Sequence, residues 1–149
     1  MPNLREEFLL FFVMFLISLC LDSMNVMVYS LDSIYLSKSL IISSLYMAST
    51  MIFAHQIVHF ISNGYVDKQI FLIGLGLAGV FYYIMRTQMF IQPKDWLKEM
   101  IPHHSTAITT TTKLLQNNAF EPNSDIYKLA NNILTTQERE ITLMKQLLR

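Results

Sequence analysis

The chain has 149 residues, of which 52% are hydrophobic and 15% are charged, and its 11 basic groups balance its 11 acidic groups. Soluble domains carry about 25% charged residues, so this composition favours a membrane protein. Neither half of the chain has the basic excess of a nucleic-acid-binding domain, and the single cysteine, Cys20, excludes an intrachain disulfide.

Three apolar segments in residues 1–92 predict a membrane domain. A span needs ~20 residues, so the apolar run that starts at Phe8 is expected to continue past Asp22, giving a first span at about 8–29. The second segment has no formal charge and predicts a span at about 39–62. The third predicts a span at about 69–90.

The third span contains Gly74, Gly76 and Gly79. Small residues allow membrane helices to approach each other closely, so we expect a close helix contact here. The same glycines do not indicate a nucleotide site, because no strand precedes them.

The second span carries two methionines and two histidines at intervals of four residues, on one helical face. They are Met47, Met51, His55 and His59. One interpretation is a relay of soft-metal ligands through the bilayer, since thioethers and imidazoles bind Cu(I). The alternative is that the histidines hydrogen-bond within the helix bundle or reach the interface while the methionines pack.

Residues 93–149 predict an antiparallel hairpin of two helices, at about 94–118 and 125–148. Pro93 suits a first helical turn, and Ser124 suits an N-cap. Apolar residues recur every three or four positions in both helices, which predicts a buried seam. His103 and His104 lie on or beside the face that is expected to be buried.

If the chain turns near residue 121, the numbers of two facing residues add up to about 242. His104 is then expected to face Gln137, His103 to face Glu140 or Glu138, and Met100 to face Met144. One interpretation is a metal site of His103, His104, Met100 and Met144, with Gln137 and Glu140 orienting the imidazoles. The other is a hydrogen-bonded patch that fixes the helix register.

The segment Met-Ile-Pro-His-His-Ser-x-Ala-Ile from Met100 to Ile108, followed by Gln137-x-x-Glu140-Ile141-x-x-Met144, resembles the family known as domain of unknown function 305. The resemblance implies a ferritin-like helical fold, of which this hairpin would form half, and copper or silver binding through His and Met. It places that role on Met100, His103, His104 and Met144. Family members often continue with methionine, whereas residues 109–112 here are four threonines, which are poor ligands for soft metals.

The sequence thus predicts an all-α, multi-pass integral membrane protein with three transmembrane helices and a C-terminal hairpin. Two helices bury little surface, so we expect the hairpin to pair with a second copy or to dock on the spans. The leading hypothesis is a membrane-anchored metal-handling protein that binds copper and is not an enzyme. The alternative is a structural membrane or envelope protein whose hairpin drives assembly around a degenerate metal site. A di-iron oxidase is excluded because the chain has no Glu-x-x-His pair.

Overall fold

The computed structural model describes residues 4–149, which form helices and no strand. The all-α prediction is confirmed, with three long apolar helices followed by a helical hairpin. The helices are α1 (Leu4–Cys20), α2 (Ser23–Val26), α3 (Lys38–Asn63), α4 (Lys68–Arg86), α5 (Pro93–Gln116) and α6 (Asp125–Leu148), with a short 3-10 turn at Leu31–Ser33.

The first of two compact units comprises residues 4–22 and Lys38–Ile91. In this unit α3 packs against both α1 and α4. Segments Leu4–Val26, Lys38–Asn63 and Lys68–Arg86 are long and apolar enough to cross a membrane. Asp67 fixes the start of α4, because its side chain accepts hydrogen bonds from the backbone of Gln69 and Ile70.

The first span was predicted at about 8–29, but the structure divides this stretch. Helix α1 starts at Leu4 and ends at Cys20, and Asp22 lies in the break before α2. The residues after the break belong to the second unit. Asp22 is therefore outside the apolar helix rather than within it.

Of the three glycines in α4, Gly74 makes the predicted close contact. A Cβ atom added at Gly74 would lie 2.9 Å from Ile52 Cγ2 and 2.9 Å from the backbone nitrogen of Phe53. A Cβ at Gly76 or Gly79 would meet nothing within 4 Å. Helices α3 and α4 thus approach most closely at Gly74.

The second unit comprises Ser23–Ser37 and Gln92–Arg149. The predicted membrane domain, residues 1–92, included Ser23–Ser37, which the structure groups with the hairpin. Two long-range hydrogen bonds fix this segment on α5: the Tyr29 backbone N–H donates to Ser105 Oγ at 2.8 Å, and Thr106 Oγ1 donates to the Met24 carbonyl at 2.8 Å.

The same segment is also fixed on α6. Lys145 Nζ lies 2.7 Å from Asp32 Oδ2 and 3.1 Å from Ser33 Oγ. Hydrogen bonding from Lys145 lowers the pKa of Asp32, which keeps this carboxylate ionised. The hairpin is therefore a three-part unit rather than two helices alone.

The helix ends of the hairpin lie close to their predicted positions. Pro93 occupies the first turn of α5, and the Ser124 side chain accepts from the Tyr127 backbone N–H. Between α5 and α6 the turn uses Asn118 and Asn123 at positive φ, a conformation that asparagine tolerates. The core of the hairpin consists of Leu97, Ile101, Ile108, Ile141 and Met144.

Candidate metal centre

His104 and Glu140 form the central contact between the two hairpin helices. His104 Nδ1 lies 3.0 Å from Glu140 Oε2. The expected partner of His104 was Gln137, and the structure instead pairs His104 with Glu140, one turn further along α6. Gln137 lies half-buried one turn before Glu140.

The His104–Glu140 contact is close without being a well-aligned hydrogen bond. Among residues 4–149, buried His104 Nδ1 has no hydrogen-bond partner of good geometry, although the carboxylate is within ion-pair distance. A buried nitrogen in this state costs free energy. It is therefore a candidate to bind a ligand or a proton.

Burial determines the protonation state of His104. Desolvation lowers the pKa of His104 below its ordinary value, and this effect outweighs the raising effect of the Glu140 carboxylate. The imidazole is therefore neutral at neutral pH. A neutral imidazole has a free lone pair and can bind a metal ion.

His103 is exposed and lies beside the buried face, whereas His104 is half-buried. Its ring centroid lies 6.0 Å from that of His104, with 62° between the planes. The Glu140 carboxylate pairs with His104, which also corrects the expected pairing of His103 with Glu140. The two histidines nevertheless remain neighbours, one accessible and one half-buried.

Two methionines lie in the same part of the hairpin. Met144 is 6% exposed and belongs to the core cluster, and half-buried Met100 packs against that cluster. Their thioethers are thus placed in the packed interior, one turn from His104 on α5 and from Glu140 on α6. This is the sulfur and nitrogen donor set expected for a soft metal ion.

The threonines after the motif have a structural role. Thr109 Oγ1 donates to the Ser105 carbonyl, and Thr110 Oγ1 donates to the carbonyls of Thr106 and Ala107. These hydroxyls therefore bind their own helix. Within residues 4–149, no three His, Cys, Asp or Glu side chains are close enough to hold a metal ion.

The Met47–His59 stripe lies on the surface of the first unit for most of its length. Met47 and Met51 are exposed, His55 Nδ1 lies 2.9 Å from Glu7 Oε1, and His59 Nδ1 lies 3.0 Å from the Tyr65 carbonyl. Each imidazole thus has one nitrogen engaged with the protein. The relay stays a prediction.

A buried polar cluster in the first unit was missed. Glu7 is 3% exposed, and its Oε1 accepts from Gln56 Nε2 at 2.6 Å. Gln56 is fully buried, and its Oε1 accepts from the Asp67 backbone N–H at 3.1 Å. The cluster therefore joins α1, α3 and the start of α4.

One signal for this cluster was present in the sequence. Gln56 lies within an uncharged apolar span, and a buried side-chain amide needs a hydrogen-bond partner. The first span was predicted to start at Phe8, which left Glu7 outside the membrane helices. A start at Leu4 instead places Glu7 within α1.

The comparisons with known proteins support the family resemblance. The family model described as Domain of unknown function (DUF305) matches residues 90–148. An uncharacterized protein of Acanthamoeba polyphaga mimivirus is 34% identical over 128 residues, which cover 86% of this chain and 82% of that protein. No solved structure matches significantly. The chain belongs to the DUF305 family.

Proposed function

We propose that this protein is a membrane-anchored metal-binding protein and that its hairpin binds copper. The observation that carries the proposal is the state of His104. Its Nδ1 is buried beside Glu140 without a well-aligned hydrogen bond, in a hairpin whose core contains the Met144 thioether. A neutral imidazole thus contacts a carboxylate, and the Met144 thioether lies one turn further along α6.

The donor chemistry favours Cu(I) over harder ions. Thioether and imidazole ligands suit Cu(I), whereas Mg²⁺ and Ca²⁺ prefer several oxygen ligands. The ligands on α5 would be Met100, His103 and His104, and the ligand on α6 would be Met144. A carboxylate beside one nitrogen of a metal-binding histidine orients the ring, and Glu140 is placed for this role.

The proposal includes a location in a membrane. Three segments long and apolar enough to cross a bilayer support a multi-pass anchor. The lipid bilayer is then the first partner of this protein. Helices α5 and α6 by contrast carry charged residues near both of their ends, which suits a position outside the hydrocarbon core.

The test is a competitive Cu(I) titration of the full chain in detergent. The wild-type chain is compared with the double variant His103→Ala/His104→Ala and with the control Glu138→Gln, which alters an exposed charge two residues from Glu140. We expect the double variant to bind at least about tenfold more weakly, a loss of about 1.4 kcal/mol. Equal affinity in wild type and double variant would contradict the proposal.

One observation favours a second function. The hydroxyls of Thr109 and Thr110 bind their own helix where family members often carry methionine. A chain with fewer soft ligands fits a structural membrane or envelope protein with a degenerate site. Elemental analysis of the native protein distinguishes the two, because a stoichiometric metal supports metal binding and a metal-free protein supports the structural role.

A further inference from the structure

Helix α6 carries two apolar stripes, and one of them is buried within the hairpin. Ala130, Ile141 and Met144 are buried, and Leu134 and Leu148 pack against the hairpin core. These positions are separated by three or four residues and form one face of the helix. This stripe accounts for the packing of α6 on α5.

The second stripe is exposed. Most of its residues precede a residue of the buried stripe by one position along the helix. Ile126, Leu129, Leu143 and Leu147 are 58%, 56%, 54% and 60% exposed. With Ile133, Thr136 and Glu140 they form an unbroken series at alternating intervals of three and four residues. Every other position of α6 outside the two stripes is polar.

The residue types in the exposed stripe match those of a parallel two-stranded coiled coil. Ile126, Ile133, Glu140 and Leu147 recur every seven residues, at the positions called a. Leu129, Thr136 and Leu143 occupy the positions called d. Isoleucine at a with leucine at d favours two parallel strands, and a polar residue at a single a position fixes their register. Glu140 is that polar residue.

We propose that a second copy of this chain packs in parallel on the exposed stripe of α6 and completes the metal site. In-register pairing places the two Glu140 side chains opposite each other, and each of them already contacts its own His104 at 3.0 Å. Two copies thus bring the two His104 imidazoles to one place, each oriented by its own Glu140 carboxylate. The metal part of this inference rests on the proposed function.

The accessibility of Glu140 supports this arrangement. The Glu140 side chain is 46% exposed and so remains accessible to a second copy. Two facing carboxylates repel each other unless a cation or a proton lies between them. A bound cation is therefore expected to stabilise the dimer.

Disulfide formation tests the pairing of the helices. Leu143→Cys is made in the full chain with Cys20→Ser, so that no other thiol is present, and is oxidised in detergent with a dipyridyl disulfide. We expect a covalent dimer from Leu143→Cys and none from the control Glu138→Cys, which lies on the polar side of α6. Circular dichroism establishes that both variants keep their helical content.

Two results would overturn the parallel dimer. One is the absence of a cross-link from a Leu143→Cys chain of unchanged helicity. The other is a cross-link that forms only when Leu129→Cys and Leu143→Cys chains are mixed, because this pairing requires antiparallel helices. A dimer from Leu143→Cys alone supports the proposal.

The metal content separates this inference from the proposed function. We expect one Cu(I) ion per two chains and its loss in Glu140→Gln, while the Leu143→Cys cross-link persists. Cross-linking without copper binding would support the dimer and contradict the proposed function. Copper binding by chains that do not cross-link would support the proposed function and overturn the shared site.

Discussion

Replacing Gly74 by alanine is expected to destabilise the first unit, whereas the same replacement at Gly76 or Gly79 is not. The added Cβ at Gly74 would lie 2.9 Å from both Ile52 Cγ2 and the Phe53 backbone nitrogen. The Phe53 nitrogen belongs to the backbone of α3, so it cannot yield without a displacement of that helix. Overpacking of this kind costs about 1–3 kcal/mol.

The two other glycines provide matched controls in the same helix. A Cβ at Gly76 or Gly79 meets nothing within 4 Å, and alanine is the better helix former by about 1 kcal/mol. Because the gain in helix propensity is the same at all three positions, we expect the Gly74→Ala chain to be less stable than either control by about 1–3 kcal/mol, the cost of overpacking. Unfolding by SDS in mixed micelles, followed by circular dichroism, measures this difference. Equal stability of all three variants would refute the close approach of α3 and α4.

Three further predictions concern other parts of the chain. Glu7→Ala leaves the buried Gln56 amide without its acceptor and should cost about 1–3 kcal/mol, whereas Glu7→Leu/Gln56→Leu should be nearer neutral in the same SDS assay. Because burial holds the pKa of His104 below 6.5 in the folded chain, the unfolded chain binds a proton more readily. The hairpin should therefore lose stability as the pH falls from about 7.5 to 5.5, a range that spans the ordinary histidine pKa. Amide exchange of α5 reports this loss, and His104→Gln should reduce the slope. Ser105→Ala removes the acceptor of the Tyr29 N–H and should speed exchange of that amide, while Ser124→Ala, in the distant turn, should leave it unchanged.

The sequence was sufficient to predict the all-α class and the hairpin. Long uncharged segments are detected by composition alone, and the helix start at Pro93 and the cap at Ser124 are local signals. Local signals of this kind do not depend on the rest of the fold. They were therefore readable from one sequence.

Long-range contacts could not be predicted in the same way. Ser23–Ser37 contains no strong helix pattern, and its place beside α5 depends on hydrogen bonds to Ser105 and Thr106. These bonds join residues more than 75 positions apart. On composition alone, the segment was therefore grouped with the apolar segments on either side of it.

The helix register was missed for a related reason. The chain turns where it was expected to, between Asn118 and Asn123, but the position of a turn does not determine which side chains of the two helices meet. The structure pairs His104 with Glu140, one turn beyond Gln137. A shift of one turn changed the partner of the imidazole from an amide to a carboxylate.

The most direct test of the central claim is the Cu(I) affinity of the full chain with and without the His104 imidazole. The wild-type chain and His104→Ala are titrated with Cu(I) against a chromogenic chelator in the same detergent, with helical content measured for both. The account predicts tight binding by the wild-type chain and at least about a tenfold loss in the variant. Unchanged Cu(I) affinity in a folded His104→Ala chain would contradict it.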